Sequence, residues 1–423
     1  MAPSLQPDPR TPGTALFHEA SANSLLLVLI AAAVVAWSPR YWPVALLHVG
    51  IFALGIAWVV WNLLSGCAGR WSPLFIPMFV AGLWGSLQIL AGATVYPFLT
   101  SRALLYWSAN AVILFVAAQF LDDHRTRTSF LTGLVYFTGA IAILGILQYY
   151  TSPYAVYWTF PLTHHVKAVG PFVYRNQFAA LVELILPLAL YRVMDEQQHR
   201  WVFATLSAVM VAVVVATASR AGTLLVGIEM TLMFLLGWLR GLVSRRTLAL
   251  VFGQVFVLAV AFTLVVGFQD VWSRFHQSNP YALRGKLTAS TLRMIAARPV
   301  MGYGLGTWQT VYPEFATFDN SLFANEAHND WAQWTAEGGI PFGLALAAVA
   351  LGATLLAWRT LWGLGVVFVF LHSFIDYPTR EPVIGAILFV LIGAMIASSA
   401  QPRHHVHSHR RAHDRLRSPA VSP

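Results

Sequence analysis

The stretch TLALVFGQVFVLAVAFTLVVG at residues 247–267 is 21 residues long and contains no charged side chain. An α-helix needs about 20 apolar residues to cross the hydrocarbon core of a bilayer, so this stretch predicts a transmembrane helix. Its apolar residues follow one another without the strict alternation that is typical of a membrane β-strand. We therefore expect an all-α integral membrane protein.

The composition of the whole 423-residue chain supports this class, because 57% of the residues are hydrophobic and only 10% are charged. A soluble domain carries about 25% charged residues, so a soluble enzyme and a disordered scaffold are both excluded. The single cysteine, Cys67, allows no intrachain disulfide. In a soluble protein the net charge of +9 would suggest nucleic acid. In a membrane protein it indicates contact with anionic lipid headgroups, and we expect no nucleic-acid partner.

Similar apolar stretches recur along the chain and predict about twelve transmembrane helices within a polytopic domain at residues 22–400. The predicted spans are 22–37, 42–64, 74–92, 104–121, 130–149, 177–194, 201–218, 221–240, 247–267, 340–358, 361–376 and 382–400. Residues 1–21 are polar and proline-rich and predict a disordered N-terminus, whereas residues 401–423 predict a basic, His-rich tail. Two long connections, at residues 150–176 and 268–339, lie between spans.

The arginines on the short connections predict the orientation of the chain in the membrane. The termini and the connections on their side hold fifteen arginines, whereas the short connections on the other side hold four, Arg40, Arg102, Arg220 and Arg380. The positive-inside rule therefore predicts that both termini are cytoplasmic and that the two long connections face outward.

The long connection at residues 268–339 is the main candidate region for chemistry. Its pattern predicts a helix around residues 287–298, a glycine-rich turn at residues 302–306 and a second helix around residues 326–337 that ends at Gly338–Gly339. The GxGxG string does not indicate dinucleotide binding, because it follows a predicted helix and precedes aromatic residues.

Three residues near the predicted outer face are candidates for a site. Arg220 closes the seventh predicted span, Arg293 lies on the first loop helix, and His328 opens the second beside Trp331 and Trp334. Each also has an ordinary explanation: a helix-end arginine that reaches toward water, a solvated helix charge and a hydrogen-bonded structural histidine. Taken singly, none of the three decides between a site and a structural role.

Two further polar clusters border predicted spans. In the stretch GPFVYRNQF at residues 170–178, Arg175 and Asn176 either bind a phosphate or sugar or cap a membrane helix. The stretch HSFIDYPTR at residues 372–380 carries His372, Asp376 and Arg380, of which the first two share a face if the helix is regular there. Glu183 and Glu229 lie within predicted spans and should face the bundle interior, because a charge in lipid is costly.

Placed in order, these strings resemble the O-antigen ligase and O-antigen polymerase superfamily of bacterial membrane glycosyltransferases. The resembling strings are GPFVYRNQFA, TASRAG, TLRMIAARPVMGYGLGTW, HNDWAQWTAEGGIPFG and HSFIDYPTREP, within residues 165–395. The resemblance implies a GT-C-type, metal-independent enzyme without a cofactor in the bacterial inner membrane. It implies transfer of a glycan from undecaprenyl diphosphate, in ligases to the lipid A–core oligosaccharide of lipopolysaccharide, at the periplasmic face.

On the residues that match, the resemblance implies that Arg220 and Arg293 hold the diphosphate and that His328 activates the acceptor hydroxyl. Substrate binding is predicted for neighbouring polar and aromatic residues of the same strings: Arg175, Asn176, Asn329, Asp330, Trp331, Asp376 and Arg380. Arginine binds phosphate oxygens with two parallel hydrogen bonds, and histidine titrates near neutral pH, so both residue types suit these roles.

Three other functions stay open from the sequence. A polymerase and a protein O-oligosaccharyltransferase of the same superfamily differ from a ligase mainly in acceptor binding. A transporter of lipid-linked oligosaccharide would be expected to carry charges along a path through the bilayer, whereas the notable charges here concentrate at the predicted outer face. A non-catalytic scaffold does not explain so many ordered motifs.

The predicted topology can be tested by labelling single cysteines in a Cys67-free background. Cysteines at positions 293 and 328 should react with an impermeant reagent in spheroplasts, because the basic residues place this loop outside. A cysteine at position 410 should react only after the membrane is permeabilised. Labelling of position 410 alone in intact spheroplasts would reverse the orientation.

Overall fold

The computed structural model describes residues 12–162, 170–196, 198–217, 219–266, 282–318 and 323–399. In this part of the chain, fourteen α-helices account for most residues, and a two-residue antiparallel β-hairpin pairs β1 (Ala155–Val156) with β2 (Phe160–Pro161). The helices are α1 (Pro12–Val34), α2 (Trp42–Ser65), α3 (Phe75–Leu90), α4 (Pro97–Phe120), α5 (His124–Thr151), α6 (Arg175–Asp195), α7 (Arg200–Ala216), α8 (Arg220–Leu239), α9 (Arg245–Val266), α10 (Ala282–Ala297), α11 (Trp308–Phe315), α12 (Asp330–Thr360), α13 (Leu364–His372) and α14 (Pro382–Ser399).

Eight helical segments of the described chain are long and apolar enough to cross a membrane, and three shorter apolar helices accompany them. The predicted all-α membrane class is therefore confirmed, whereas the number of twelve spans stays a prediction. The predicted span at 361–376 is wrong in extent, because α13 has nine residues and follows a 3-10 turn at Leu361–Gly363. At 1.5 Å per residue, α13 is about 14 Å long, half the thickness of the hydrocarbon core.

The N-terminal boundary also differs from the prediction of a disordered segment at residues 1–21. Helix α1 begins at Pro12, and Phe17 stacks on Trp61 of α2 with 4.6 Å between ring centroids. Thr14 and Ser21 are buried. The stretch from residue 12 to 21 is therefore helical because it packs against the bundle, whereas residues 1–11 and the predicted tail at 401–423 lie outside the described residues.

The centre of the bundle consists of α6 and α14, whose side chains are buried along almost their whole length. Helix α14 packs on α4, and α6 packs on α7, α8 and α13. The buried residues of α14 are all apolar, and residues 178–190 of α6 are apolar except for Glu183, as is expected of helices that are surrounded by other helices. They form a stable support for the polar residues at their ends.

The glycine-rich turn at residues 302–306 wraps around the end of the first part of α12. The backbone N–H of Gly304 donates to the carbonyl of Glu337 at 2.9 Å. Gly304 has φ 107°, and a Cβ there would lie 2.2 Å from Oγ1 of Thr94. The GxGxG string therefore has a packing role, in agreement with the rejection of a dinucleotide site.

The second predicted loop helix begins at Asp330 and not at residue 326, because the side chain of Asn329 caps it by accepting from the backbone N–H of Ala332 at 2.9 Å. The first loop helix, α10, differs in the opposite sense, because it begins at Ala282 and the prediction was residue 287. The predicted break at Gly338–Gly339 is present, since Gly339 has φ 80° and ψ 171° inside α12.

Gly339→Ala should destabilise the protein by about 2–5 kcal/mol, because this backbone conformation is open almost only to glycine and a Cβ would lie 2.0 Å from the carbonyl oxygen of Val300. Gly92→Ala is the matched control, since Gly92 has φ 63° but open space around its Cβ position. It should cost about 1–2 kcal/mol. The measurement is denaturant unfolding of both variants in the same detergent, and equal losses would contradict the packing argument.

Candidate active site

The carboxylate of Asp376 is the centre of a polar cluster at one end of the bundle. Asp376 follows α13 and is 1% exposed. Its oxygens accept hydrogen bonds from Nδ1 of His328 at 3.1 Å, from the guanidinium of Arg284 at 3.1 Å, and from the hydroxyl of Tyr174 at 3.2 Å. Asn176 also donates its side-chain amide to this carboxylate. The cluster therefore joins the starts of α6, α10 and α12 to the end of α13.

The surroundings of Asp376 favour its ionised form. Burial by itself raises the pKa of this carboxyl group, but the hydrogen bond from His328 and the positive charge of Arg284 outweigh burial and lower the pKa below its usual value. Asp376 is therefore a carboxylate at neutral pH, although almost no water reaches it.

The imidazole of His328 has a defined orientation. A carboxylate has no proton to donate, so Nδ1 of His328 carries the proton and Nε2 of the neutral ring is left as an acceptor. The ring also meets Tyr377 edge to face with 4.8 Å between centroids. His328 has φ 53°, an uncommon conformation for a residue other than glycine. Such backbone strain is often found at functional sites.

His328 is 25% exposed and lines a cavity of about 510 Å³. The cavity wall combines aromatic and polar side chains, among them Tyr312, Phe318, Phe323 and Asn325. Aromatic faces beside hydrogen-bonding groups suit a sugar, whose ring has apolar faces and polar edges. A hydroxyl in this cavity would meet an acceptor nitrogen that is held in place from behind by a buried carboxylate.

Arg380 is the centre of a second, partly buried cluster. Its guanidinium forms ion pairs with Glu337 at 3.2 Å, Glu326 at 3.3 Å and Asp330 at 3.8 Å. Burial by itself lowers the pKa of Arg380, but these carboxylates outweigh burial and raise it. Burial also raises the pKa of Glu326. The charge of Arg380 is thus neutralised within the protein.

The other substrate-binding candidates on α12 make internal contacts. Asp330 is fully buried and accepts a hydrogen bond from Oγ1 of Thr379 at 2.8 Å, while Asn329 caps the helix. The indole of Trp331 donates to the carbonyl of Phe370 at 2.9 Å and stacks on Phe374. These contacts hold α12 against α13.

A buried histidine–glutamate pair lies deeper in the bundle, next to Asp376 in sequence. Nδ1 of His372 lies 3.0 Å from both carboxylate oxygens of Glu183, and both side chains are fully buried. The backbone N–H of Asp376 donates to the carbonyl of His372 at 3.0 Å, so the helical turn continues past α13. The predicted inward orientation of Glu183 is therefore present, with a histidine as its partner.

The arginines predicted from the sequence lie at helix starts and on the outer layer. Arg175 is the first residue of α6, and Arg220 is the first residue of α8. Arg293 on α10 donates to Oγ of Ser290 at 3.1 Å and to the carbonyl of Phe315. Within the described part of the chain, the arginine that donates a hydrogen bond to Asp376 is Arg284, and not Arg175, Arg220 or Arg293.

The structure brings together three residues that the sequence offered as separate candidates, His328, Asp376 and Asn176, and adds Arg284 and Tyr174, which were not predicted from the sequence. Tyr174 lies in the GPFVYRNQF stretch, where its position directly before two polar candidates was an available signal. Arg284 lies before the predicted start of the loop helix at residue 287, so nothing in its local sequence distinguished it.

The fold and the cluster define a class: a polytopic helical membrane protein with a histidine–aspartate pair at one end of its bundle. Residues 205–348 match the family described as O-Antigen ligase. This segment runs from α7 into the membrane part of α12 and includes Arg220, Arg293 and His328. The match of this segment confirms the resemblance to the O-antigen ligase superfamily that the sequence predicts. No curated protein sequence matches the chain.

Asp376→Asn should lower the free energy of unfolding by about 1.5–3 kcal/mol at pH 7, because a buried acceptor of charge-assisted hydrogen bonds is lost. The lowered pKa of Asp376 means that its stabilisation is fully present above the unfolded-state pKa of about 3.9 and is lost only as the pH falls through the still lower folded-state pKa. The difference between wild type and variant should therefore stay constant from pH 7 to about pH 4.5.

The measurement is denaturant unfolding of both proteins across this pH range. Asp122→Asn is the control, because Asp122 pairs with Arg70 at a partly exposed site and should cost at most about 1 kcal/mol. A stability difference that already disappears between pH 7 and pH 5 would contradict the lowered pKa of Asp376.

Proposed function

We propose that the protein is an O-antigen ligase-type glycosyltransferase. It transfers a glycan from undecaprenyl diphosphate to an acceptor hydroxyl, with the lipid A–core oligosaccharide as acceptor, and so acts in lipopolysaccharide biosynthesis. The reaction takes place at the periplasmic face of the bacterial inner membrane, in a GT-C-type architecture with both termini in the cytoplasm. The family match of residues 205–348 and the helical membrane fold support this class of activity.

The observation that carries the proposal is the His328–Asp376 pair beside the 510 Å³ cavity. His328 takes the proton of the acceptor hydroxyl on Nε2, and the hydroxyl oxygen forms a bond to the anomeric carbon of the glycan. The bond from that carbon to the diphosphate breaks, and the diphosphate leaves with the electron pair. Asp376 keeps the imidazole in the required tautomer and stabilises its charge while it holds the proton.

In this proposal the leaving diphosphate is stabilised by Arg220 and Arg293, and the reaction is independent of metal and cofactor. Arginine keeps its charge at every relevant pH and grips phosphate oxygens with two parallel bonds. Stabilisation of developing charge is usually the largest part of catalysis. Arg284 is a positioning residue, because its contact is with Asp376.

Of the remaining polar candidates, one binds a substrate in this proposal and the others position residues of the site. Arg175 binds the donor at the start of α6, whereas Asn176 positions Asp376. Asn329, Asp330, Trp331 and Arg380 hold the segment that carries His328, through the cap of α12 and through contacts to the residues around α13. Only membrane lipids and the two glycolipid substrates are partners in this proposal.

A polymerase of the same superfamily is the second candidate, since its acceptor is another lipid-linked repeat and the same base would serve it. A protein O-oligosaccharyltransferase would use a protein hydroxyl in the same position. A transporter of lipid-linked oligosaccharide is disfavoured, because the clusters around Asp376 and Arg380 lie at one end of the bundle and the buried residues of α14 are all apolar.

The test is transfer by the purified, reconstituted protein, supplied with undecaprenyl-diphosphate glycan and either lipid A–core or a second lipid-linked repeat. His328→Ala should lose about 10²–10⁴-fold in turnover while it still binds the donor, because only the base is removed. His199→Ala is the matched control, since this histidine is exposed on the connection between α6 and α7 and should keep full activity. Near-native turnover of His328→Ala would remove histidine as the base.

The same assay tests the electrostatic part. Arg220→Ala and Arg293→Ala should each reduce transfer about 30- to 1000-fold, corresponding to about 2–4 kcal/mol of transition-state stabilisation. Lysine should restore only part of the activity, because it lacks the planar fork of arginine. Activity should persist in EDTA, and a strict requirement for a divalent ion would contradict the metal-independent mechanism.

A further inference from the structure

Two of the four arginines on the predicted outer short connections have no role in the proposed reaction. Arg40 and Arg102 line a second cavity, a cleft of about 610 Å³ between the outer ends of α2 and α4. The guanidinium of Arg102 lies 3.7 Å from the ring centroid of Tyr41, which adjoins Arg40. Within the described part of the chain, no salt bridge joins either arginine to a carboxylate. Both charges are therefore available to an anion.

The wall of this cleft along α2 and α4 is mostly apolar, although His48 also lines it, and the cleft is open to the side. The wall includes Val49 of α2 and Leu105 of α4, whose side chains are 64% and 51% exposed. An exposed apolar side chain on a membrane helix contacts lipid, so the cleft opens toward the bilayer. A molecule with an anionic head and hydrocarbon chains matches this arrangement, with its head at Arg40 and Arg102.

The inner end of the cleft adjoins the cavity of His328. Gln309 and Glu326 line both cavities, so the cavities meet at these residues, and Glu326 lies two residues before His328. Arg380, which also lines the cleft, is already paired with three carboxylates. The three carboxylates around Arg380 outnumber its single positive charge, so this end of the cleft disfavours a phosphate. Their oxygens can accept hydrogen bonds from sugar hydroxyls. A headgroup phosphate is therefore expected at the outer mouth, while a sugar extends inward.

We propose that this cleft binds the phosphorylated glycolipid acceptor. Its phosphate lies between Arg40 and Arg102, its hydrocarbon chains lie against Val49 and Leu105, and its sugar passes Gln309 and Glu326 to reach His328. The inference rests on the proposed function, because it assigns one of the two substrates of that reaction to a site. It assigns the acceptor rather than the donor because the proposed function places the donor diphosphate at Arg220 and Arg293, which do not line the cleft.

The kinetic test compares Arg40→Gln and Arg102→Gln with Arg298→Gln in the reconstituted enzyme. Arg298 is the matched control, because it is exposed and lies 4.6 Å from the ring centroid of Tyr303 but lines neither cavity. With lipid A–core as acceptor, each cleft variant should raise the acceptor KM about tenfold, since a charge-assisted phosphate contact is lost. The donor KM and the turnover at saturating acceptor should stay unchanged. An unchanged acceptor KM, or a rise in the donor KM alone, would overturn the assignment.

A binding test separates this inference from the proposed function. His328→Ala protein in nanodiscs of zwitterionic lipid is titrated with lipid A–core, with phosphatase-treated lipid A–core and with undecaprenyl diphosphate. Tighter binding of the phosphorylated acceptor, lost in Arg40→Gln and Arg102→Gln but kept in Arg298→Gln, supports the site even if no transfer assay succeeds. Equal binding of the phosphatase-treated acceptor contradicts it. So does a loss of undecaprenyl diphosphate binding in the cleft variants, or suppression of acceptor binding by the anionic phospholipid phosphatidylglycerol at the same concentration.

Discussion

The buried charge of Asp376 is the constraint on which the rest of the site depends. A carboxylate that is 1% exposed has lost its hydration, and the protein must replace that hydration with donors of its own. Each donor comes from a different part of the chain: Asn176 from α6, Arg284 from α10 and His328 from the residue pair before α12. The charge of Asp376 therefore holds α10 and the start of α12 against the start of α6, and it also determines the tautomer of His328.

The cluster around Arg380 likewise positions part of the wall of the His328 cavity, because Glu326 both lines that cavity and pairs with Arg380. The guanidinium of Arg380 pairs with three carboxylates from the segment between residues 326 and 337. The start of α12 therefore cannot move away from Arg380 without breaking these ion pairs. Glu337 in turn accepts from the backbone N–H of Gly306 at 2.8 Å, which connects the glycine-rich turn to this cluster. The segment that carries His328 is thus held from two sides, by Asp376 and by the carboxylates that pair with Arg380, and the proposed base would keep one position during the reaction.

The fold class could be predicted from the sequence because apolar content over about 20 residues has one physical explanation. The ends of helices were harder to predict where tertiary packing determines them. Residues 12–21 are helical because Phe17 stacks on Trp61. Helix α13 ends after nine residues, in a polar turn in which Asp376 accepts a hydrogen bond from the backbone N–H of Tyr377. The residue types of the site were also predictable. Which arginine meets Asp376 was not, because Arg284 and Arg293 lie on one helix and only the packing of α10 decides which of them faces the carboxylate.

The distribution of arginines at the predicted outer end gains a physical reason from this arrangement. The positive-inside rule works against arginine on outer connections, so each one kept there needs a compensating contact. Arg380 has its contact inside the protein, in three carboxylates. Arg102 lies over the ring of Tyr41, and in the described part of the chain no carboxylate pairs with Arg40 or Arg102 at the mouth of the cleft. In the proposed acceptor site, a phosphate carried on hydrocarbon chains would stabilise both guanidinium groups, so the charges that the positive-inside rule disfavours there would favour binding of the phosphorylated glycolipid.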